Sequence, residues 1–174
     1  MKETFTNLYQ TYIKRDGAEE LLDYIYGTDF FTAPASTKYH GAYEGGLVEH
    51  SVNVFNRLGR NDETGAIVAL LHDLCKANFY TVSYRNVKNE HGVWEKVPYY
   101  TIDDKLPYGH GDKSVYIIMQ FMKLTEEEAF AIRFHMGGFE EGDKRPLSAA
   151  WEKYPLGVLL HCADLQASYL DENK

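Results

Sequence analysis

The chain has 174 residues, 44% hydrophobic and 25% charged, with 18 Lys and Arg against 26 Asp and Glu, a formal charge of −8. That length can bury a real core in one globular domain. The acidic balance has the wrong sign for coating a nucleic-acid backbone, and no apolar stretch approaches the roughly 20 residues of a membrane helix. The N-terminus shows no apolar signal segment and two cysteines are too few for a disulfide framework, so the sequence places the protein in the cytoplasm.

Phe5, Leu8, Tyr9, Tyr12 and Ile13 recur at helical spacing and predict an amphipathic helix ending near Asp16-Gly17. A second helix is expected over 18–26, closed by Gly27, and 28–43, with Pro34 and several small polar residues, reads as a loop. After Gly45-Gly46, Leu47, Val48, Val54, Phe55 and Leu58 give a helix its apolar face through Arg60. Asn61-Asp62 then caps a helix over 63–77. From Tyr80 the pattern turns β-branched and aromatic on both sides of Asn89-Glu90-His91-Gly92, a hairpin signature over about 81–102, with Pro98 marking an edge or bulged strand. Helices follow over 112–123 and over 126–136, the latter with a Thr125/Glu128 capping box. A last one spans about 155–170, with Pro155 in its first turn. Repeats, low-complexity tracts and linkers are absent from the sequence. The fold class is mainly α with one inserted β-hairpin, in a single domain.

Seven histidines are many for this length, and their placement carries the chemistry. His72-Asp73 follows the apolar run Ile67-Val68-Ala69-Leu70-Leu71, where two ionisable neighbours are costly to bury without partners. A bound metal would satisfy them, and so would a buried hydrogen-bonded His–Asp pair. His50 on the preceding predicted helix and Asp164 on the last one each sit beside apolar residues and are inward-facing candidates. Together they form a mixed imidazole and carboxylate set suited to Fe, Mn, Zn, Co or Ni rather than to Ca.

In that order on successive helices, His50, His72-Asp73 and Asp164 resemble the H…HD…D pattern of the HD-domain metal-dependent phosphohydrolase superfamily. The segment Tyr39-His40-Gly41-Ala42-Tyr43-Glu44-Gly45-Gly46-Leu47-Val48-Glu49-His50, followed by Leu70-Leu71-His72-Asp73-Leu74-Cys75-Lys76, looks like bacterial HD domains that include the C-terminal half of certain 3′–5′ exoribonucleases. The likeness spans roughly 39–168. It implies an HD-type helical bundle, a divalent transition metal bound by His50, His72, Asp73 and Asp164, and hydrolysis of a phosphate ester. Some HD proteins hold a second ion through intermediate histidines with the HD aspartate bridging, which here points to His110 and His135. Their plainer readings are a helix-start residue and a helix-end cation.

Lys76, four residues after His72 and three after Asp73, shares their face and could set an ammonium beside a phosphate, or serve the helix dipole. Lys113 and Arg133, near His110 and His135 in sequence, are candidates for binding substrate phosphate and equally for surface salt bridges. His161 is expected to support Asp164 by a hydrogen bond. His40 reads as a loop residue, His91 as exposed, Cys75 and Cys162 as packing residues assigned to no metal, and Tyr43 or Tyr84 as able to stack on a base. The expected activity is metal-dependent hydrolysis of a small phosphorylated substrate, a nucleotide being favoured, with Asp73 and Lys76 catalytic, one or two ions, and neither long nucleic acid nor membrane as partner. The rivals are a phosphodiesterase or exonuclease, a non-catalytic nucleotide-binding module, and an oxygen-activating di-iron enzyme.

Overall fold

A computed structural model describes residues 1–139 and 145–172. It is mainly helical with one two-stranded antiparallel hairpin. Helix α1, Lys2–Tyr12, buries Phe5 and Tyr9, and α2, Ala18–Tyr26, buries Leu21, Leu22 and Ile25. The next two elements are α3, Gly46–Leu58, and α4, Glu63–Leu71. Every residue of α4 from Gly65 to Leu71 is buried, which is why its sequence is apolar on all sides and shows little periodicity. This central helix packs against α1, α3 and α6 (Glu126–Arg133). Asp62 caps it, accepting a hydrogen bond from the Gly65 amide at 2.7 Å.

The double glycine before α3 has a steric cause. Gly45 is left-handed at φ 81°, and a Cβ on Gly46 would lie 2.0 Å from the Gly41 carbonyl oxygen. That contact folds the 28–43 loop back onto the start of α3.

The sequence predicted a helix over 63–77, but α4 stops at Leu71. His72 is its C-cap, and Leu74–Lys76 forms a 3₁₀ turn closed by the Lys76 amide on the Asp73 carbonyl at 2.9 Å. Apolar spacing continues through Leu74, so periodicity gives no sign of the break. The hairpin, β1 (Tyr80–Lys88) with β2 (Trp94–Ile102), pairs Tyr80 with Ile102 through to Lys88 with Trp94. Asn89 Oδ1 closes its turn by accepting from the His91 and Val93 amides. Pro98 is accommodated because both strands of a two-stranded ribbon are edges.

Helix α5 runs His110–Met119, starting two residues before the expected 112 and ending well before 123. The predicted capping box at the start of α6 is present, but the helix ends at Arg133 instead of 136, leaving His135 in a turn between Phe134 and the left-handed Gly137. Helix α7, Arg145–Lys153, was not foreseen, although Pro146 in its first turn is a start signal. The predicted last helix divides into α8, Leu156–Gln166, and a π-helical turn, Ala167–Asp171, which brings Glu172 back against α3. Among the described residues no helix is long and apolar enough to cross a membrane.

Candidate metal centre

Six residues expected from the sequence converge at one point. His50 comes from α3, His72 and Asp73 from the end of α4, His110 from the first position of α5, His135 from the turn after α6, and Asp164 from α8. His50 Nε2 lies 3.2 Å from His72 Nε2, 3.2 Å from Asp164 Oδ1 and 3.6 Å from Asp73 Oδ2. His72 Nε2 is 3.5 Å from Asp73 Oδ2. The other Asp73 oxygen, Oδ1, meets His110 Nε2 at 2.7 Å and His135 Nε2 at 3.5 Å. Asp73 therefore stands between two nests of nitrogen donors, one oxygen to each. His50, His72, Asp73 and His135 are buried, while His110 and Asp164 keep partial exposure and connect the cluster to solvent.

The outer ring nitrogens decide what the inner ones can do. His72 Nδ1 donates to the Ala69 carbonyl at 2.9 Å and His135 Nδ1 to the Ile132 carbonyl at 2.6 Å. A carbonyl oxygen only accepts, so in the neutral rings Nε2 presents a lone pair. His50 Nδ1 faces both oxygens of Glu172 at 3.1 Å and is oriented in the same way. With His50 Nε2 unprotonated, its lone pair and that of His72 point at each other across 3.2 Å, and the buried His135 Nε2 has no hydrogen-bond partner. A cation among them removes both difficulties. Metal–ligand bonds of about 2.0–2.2 Å place two donors of one ion about 3–3.5 Å apart, the spacing of His50 from His72 and Asp164 and of His72 and His135 from Asp73. The residues thus fit a divalent transition ion.

The electrostatics agree. Burial pushes the His72 pKa down to about 3, against the pull of Asp73, so this ring is neutral and free to ligate. Burial would also discharge His50, but hydrogen bonds with Asp164 and Glu172 outweigh it and raise its pKa to about 10, which marks the point where positive charge is favoured. A metal ion binding there exchanges with that proton, so affinity should weaken as pH falls. Burial would raise both carboxyls, yet Lys76, His72 and His110 hold Asp73, and His50, His72 and His135 hold Asp164, well below the usual carboxylate range.

The three expected phosphate-binding cations are placed differently. Lys76 is buried with Nζ 2.6 Å from Asp73 Oδ2, at the edge of the cluster. Lys113 Nζ is engaged by Asp104 at 2.7 Å and lies over the Phe79 ring, and Arg133 Nε is engaged by Asp112 at 2.7 Å at the surface. His161 does not support Asp164 as expected. Its Nδ1 donates to the His135 carbonyl at 2.6 Å, and Asp164 is held instead by His50 at 3.2 Å and by the Ser168 hydroxyl at 3.3 Å. His91 is exposed, whereas His40 is half-buried with its ring 4.9 Å from that of His50.

Sequence reasoning missed Glu172, which Asn53 also holds at 3.0 Å. A glutamate near the end of an acidic chain carries no local signal. Because it fixes the orientation of His50, Glu172→Gln should weaken metal affinity about 10–100-fold, the usual effect of losing a carboxylate behind a histidine ligand. Competition with a chromophoric chelator would measure this, and unchanged affinity would show that Glu172 has no hold on the site.

A second test concerns how the two nests are brought together. A Cβ on Gly111 would lie 2.1 Å from the Arg133 carbonyl oxygen, and backbone cannot yield as a flexible side chain does. Gly111→Ala should force α5 away from the end of α6, carrying His110 from His135, with a loss of about 1–3 kcal/mol from overpacking. Thermal melting and metal content together check this expectation; wild-type values in both would refute it.

Fold and site together define a helical domain with a buried histidine and aspartate cluster able to hold a metal ion. In comparisons with known proteins, no family model, curated protein or solved structure matches the chain.

Proposed function

We propose that this protein is an HD-type metal-dependent phosphohydrolase acting on a small phosphate ester, with a nucleotide as the favoured substrate. The observation that carries this reading is the convergence of three oriented Nε2 atoms, from His50, His72 and His135, on the two oxygens of Asp73. His50, His72, Asp73 and Asp164 would hold one ion, and His110 and His135, sharing Asp73, a second. When bound, such an ion supplies a Lewis acid for phosphoryl oxygens and acidifies a water molecule as the nucleophile.

The chain's own groups do the rest. Asp73 stays ionised and orients both nests. The Lys76 pKa is lowered by burial but raised further by Asp73, so it remains an ammonium and can offset charge building on the phosphoryl group. Lys113 and Arg133 would have to leave Asp104 and Asp112 to meet a phosphate, so Lys76 takes the first contact. The formal charge of −8 favours a small substrate over a polymer. We place the activity in the cytoplasm, in keeping with two free cysteines.

Elemental analysis of protein loaded with Mn, Fe, Co, Ni or Zn, followed by phosphate release from a panel of mononucleotides and nucleoside triphosphates, tests this. Bound metal with metal-dependent release is expected. Failure to retain any metal overturns the centre. Bound metal without turnover of any phosphate ester overturns the hydrolase and leaves a binding module.

A further inference from the structure

Cys75 is buried beside its neighbours Leu74 and Ala77. Its Sγ is turned toward His110, 3.5 Å from Nδ1 and 3.9 Å from Nε2. Ser114 holds the turn in place by accepting from the Cys75 amide at 3.0 Å. One donor atom each from Asp73, Cys75 and His110 lies within 4.8 Å of the others. With metal–sulfur bonds of about 2.3 Å and metal–nitrogen bonds of about 2.1 Å, one ion can span such a set. A second buried donor stands beside the same carboxylate. His135 Nε2 is buried, without a hydrogen-bond partner, and 3.5 Å from the Asp73 oxygen that His110 also meets.

We propose that Cys75 is a thiolate ligand of the second ion site, which it completes with His110, His135 and Asp73 Oδ1 and makes selective for zinc-like ions. This rests on the metal centre proposed above but goes beyond it, since it divides the two nests by chemistry. The nest of His50, His72 and Asp164 offers only imidazole and carboxylate. The nest of His110 and His135 adds a soft sulfur, and sulfur favours Zn²⁺, Co²⁺ or Fe²⁺ over Mn²⁺ or Mg²⁺. Four protein donors of this kind match a tetrahedral ion. The metal–sulfur bond forms as the S–H bond breaks, with the proton released to solvent and no change of oxidation state.

Cobalt(II) is the probe. The sequence has two cysteines, so in Cys162→Ser the remaining thiol is Cys75; Cys162 is exposed and replaceable. Cobalt-loaded Cys162→Ser should show a near-ultraviolet thiolate-to-cobalt charge-transfer band, and Cys75→Ala should lose it while still retaining first-site cobalt. Should Cys75→Ala fail to fold, the Cys162→Ser spectrum decides alone. Retained cobalt without that band overturns the proposal and leaves the metal centre standing, Cys75 then being a thiol hydrogen-bonded to His110. Failure to retain cobalt or any other divalent ion overturns both.

Discussion

On the proposed reading, Asp73→Asn should abolish metal-dependent turnover, with a loss of at least about 100-fold, since partners behind histidine ligands already cost about 10–100-fold and Asp73 would itself be a ligand. The exchange keeps the shape of the side chain but removes a charge that both nests share. Oδ2 faces His50 and His72 while Oδ1 faces His110 and His135, so both ions should be weakened together. His72→Ala should instead act first on the His50 side. Its ring closes that nest, and its Nδ1 is already committed to the Ala69 carbonyl. Metal stoichiometry and phosphate release, measured on the same samples, separate the cases. Full activity in Asp73→Asn would reject the mechanism.

Glu128→Ala should be strongly destabilising although it lies outside the centre. The carboxylate is fully buried and takes both Arg15 guanidinium nitrogens, at 2.8 and 2.9 Å, with the Thr64 hydroxyl at 2.8 Å and the Thr125 amide at 2.9 Å. It thus ties the α1–α2 connection and α4 to the start of α6. Removing it takes away the main partner of Arg15, and because Arg15 is partly exposed and keeps Glu63 the loss lies below that of a fully buried pair, at about 2–3 kcal/mol. For a chain of this length that lowers Tm by about 10 °C. The pH dependence has a definite sign. Burial would raise the Glu128 pKa, but hydrogen bonds from Arg15, Thr125 and Thr64 outweigh it and hold the group below its usual value. Its contribution is therefore fully present above the unfolded value of about 4.3 and lost as pH falls through the lower folded one. Glu128→Gln should flatten that acid limb of the stability curve. A wild-type Tm and acid profile in both variants would show that the network is dispensable.

Much of this was legible in one dimension. Helical spacing located α1, α2 and α3, alternation located the hairpin, and the Thr125/Glu128 box located the start of α6, because each of these signals is set by residues within a turn of one another. The chemistry of the cluster was legible too. His50, His72, Asp73 and Asp164 are polar groups set in apolar surroundings, and that mismatch shows without coordinates.

The tertiary structure alone decided the rest, since it depends on contacts between residues far apart in sequence. The break after Leu71 comes from a tight turn that brings Lys76 back onto Asp73, and apolar periodicity cannot register it. Lys113 and Arg133 stand near histidines in sequence, but their charges are taken up by Asp104 and Asp112. Glu172 reaches His50 across 122 positions because the π-helical turn redirects the chain after α8. Cys75, in sequence a small apolar residue beside a motif, is buried in the 3₁₀ turn with its Sγ facing His110. Which donors oppose which Asp73 oxygen follows from the packing of α3, α4, α5, α6 and α8, and no sequence spacing encodes it.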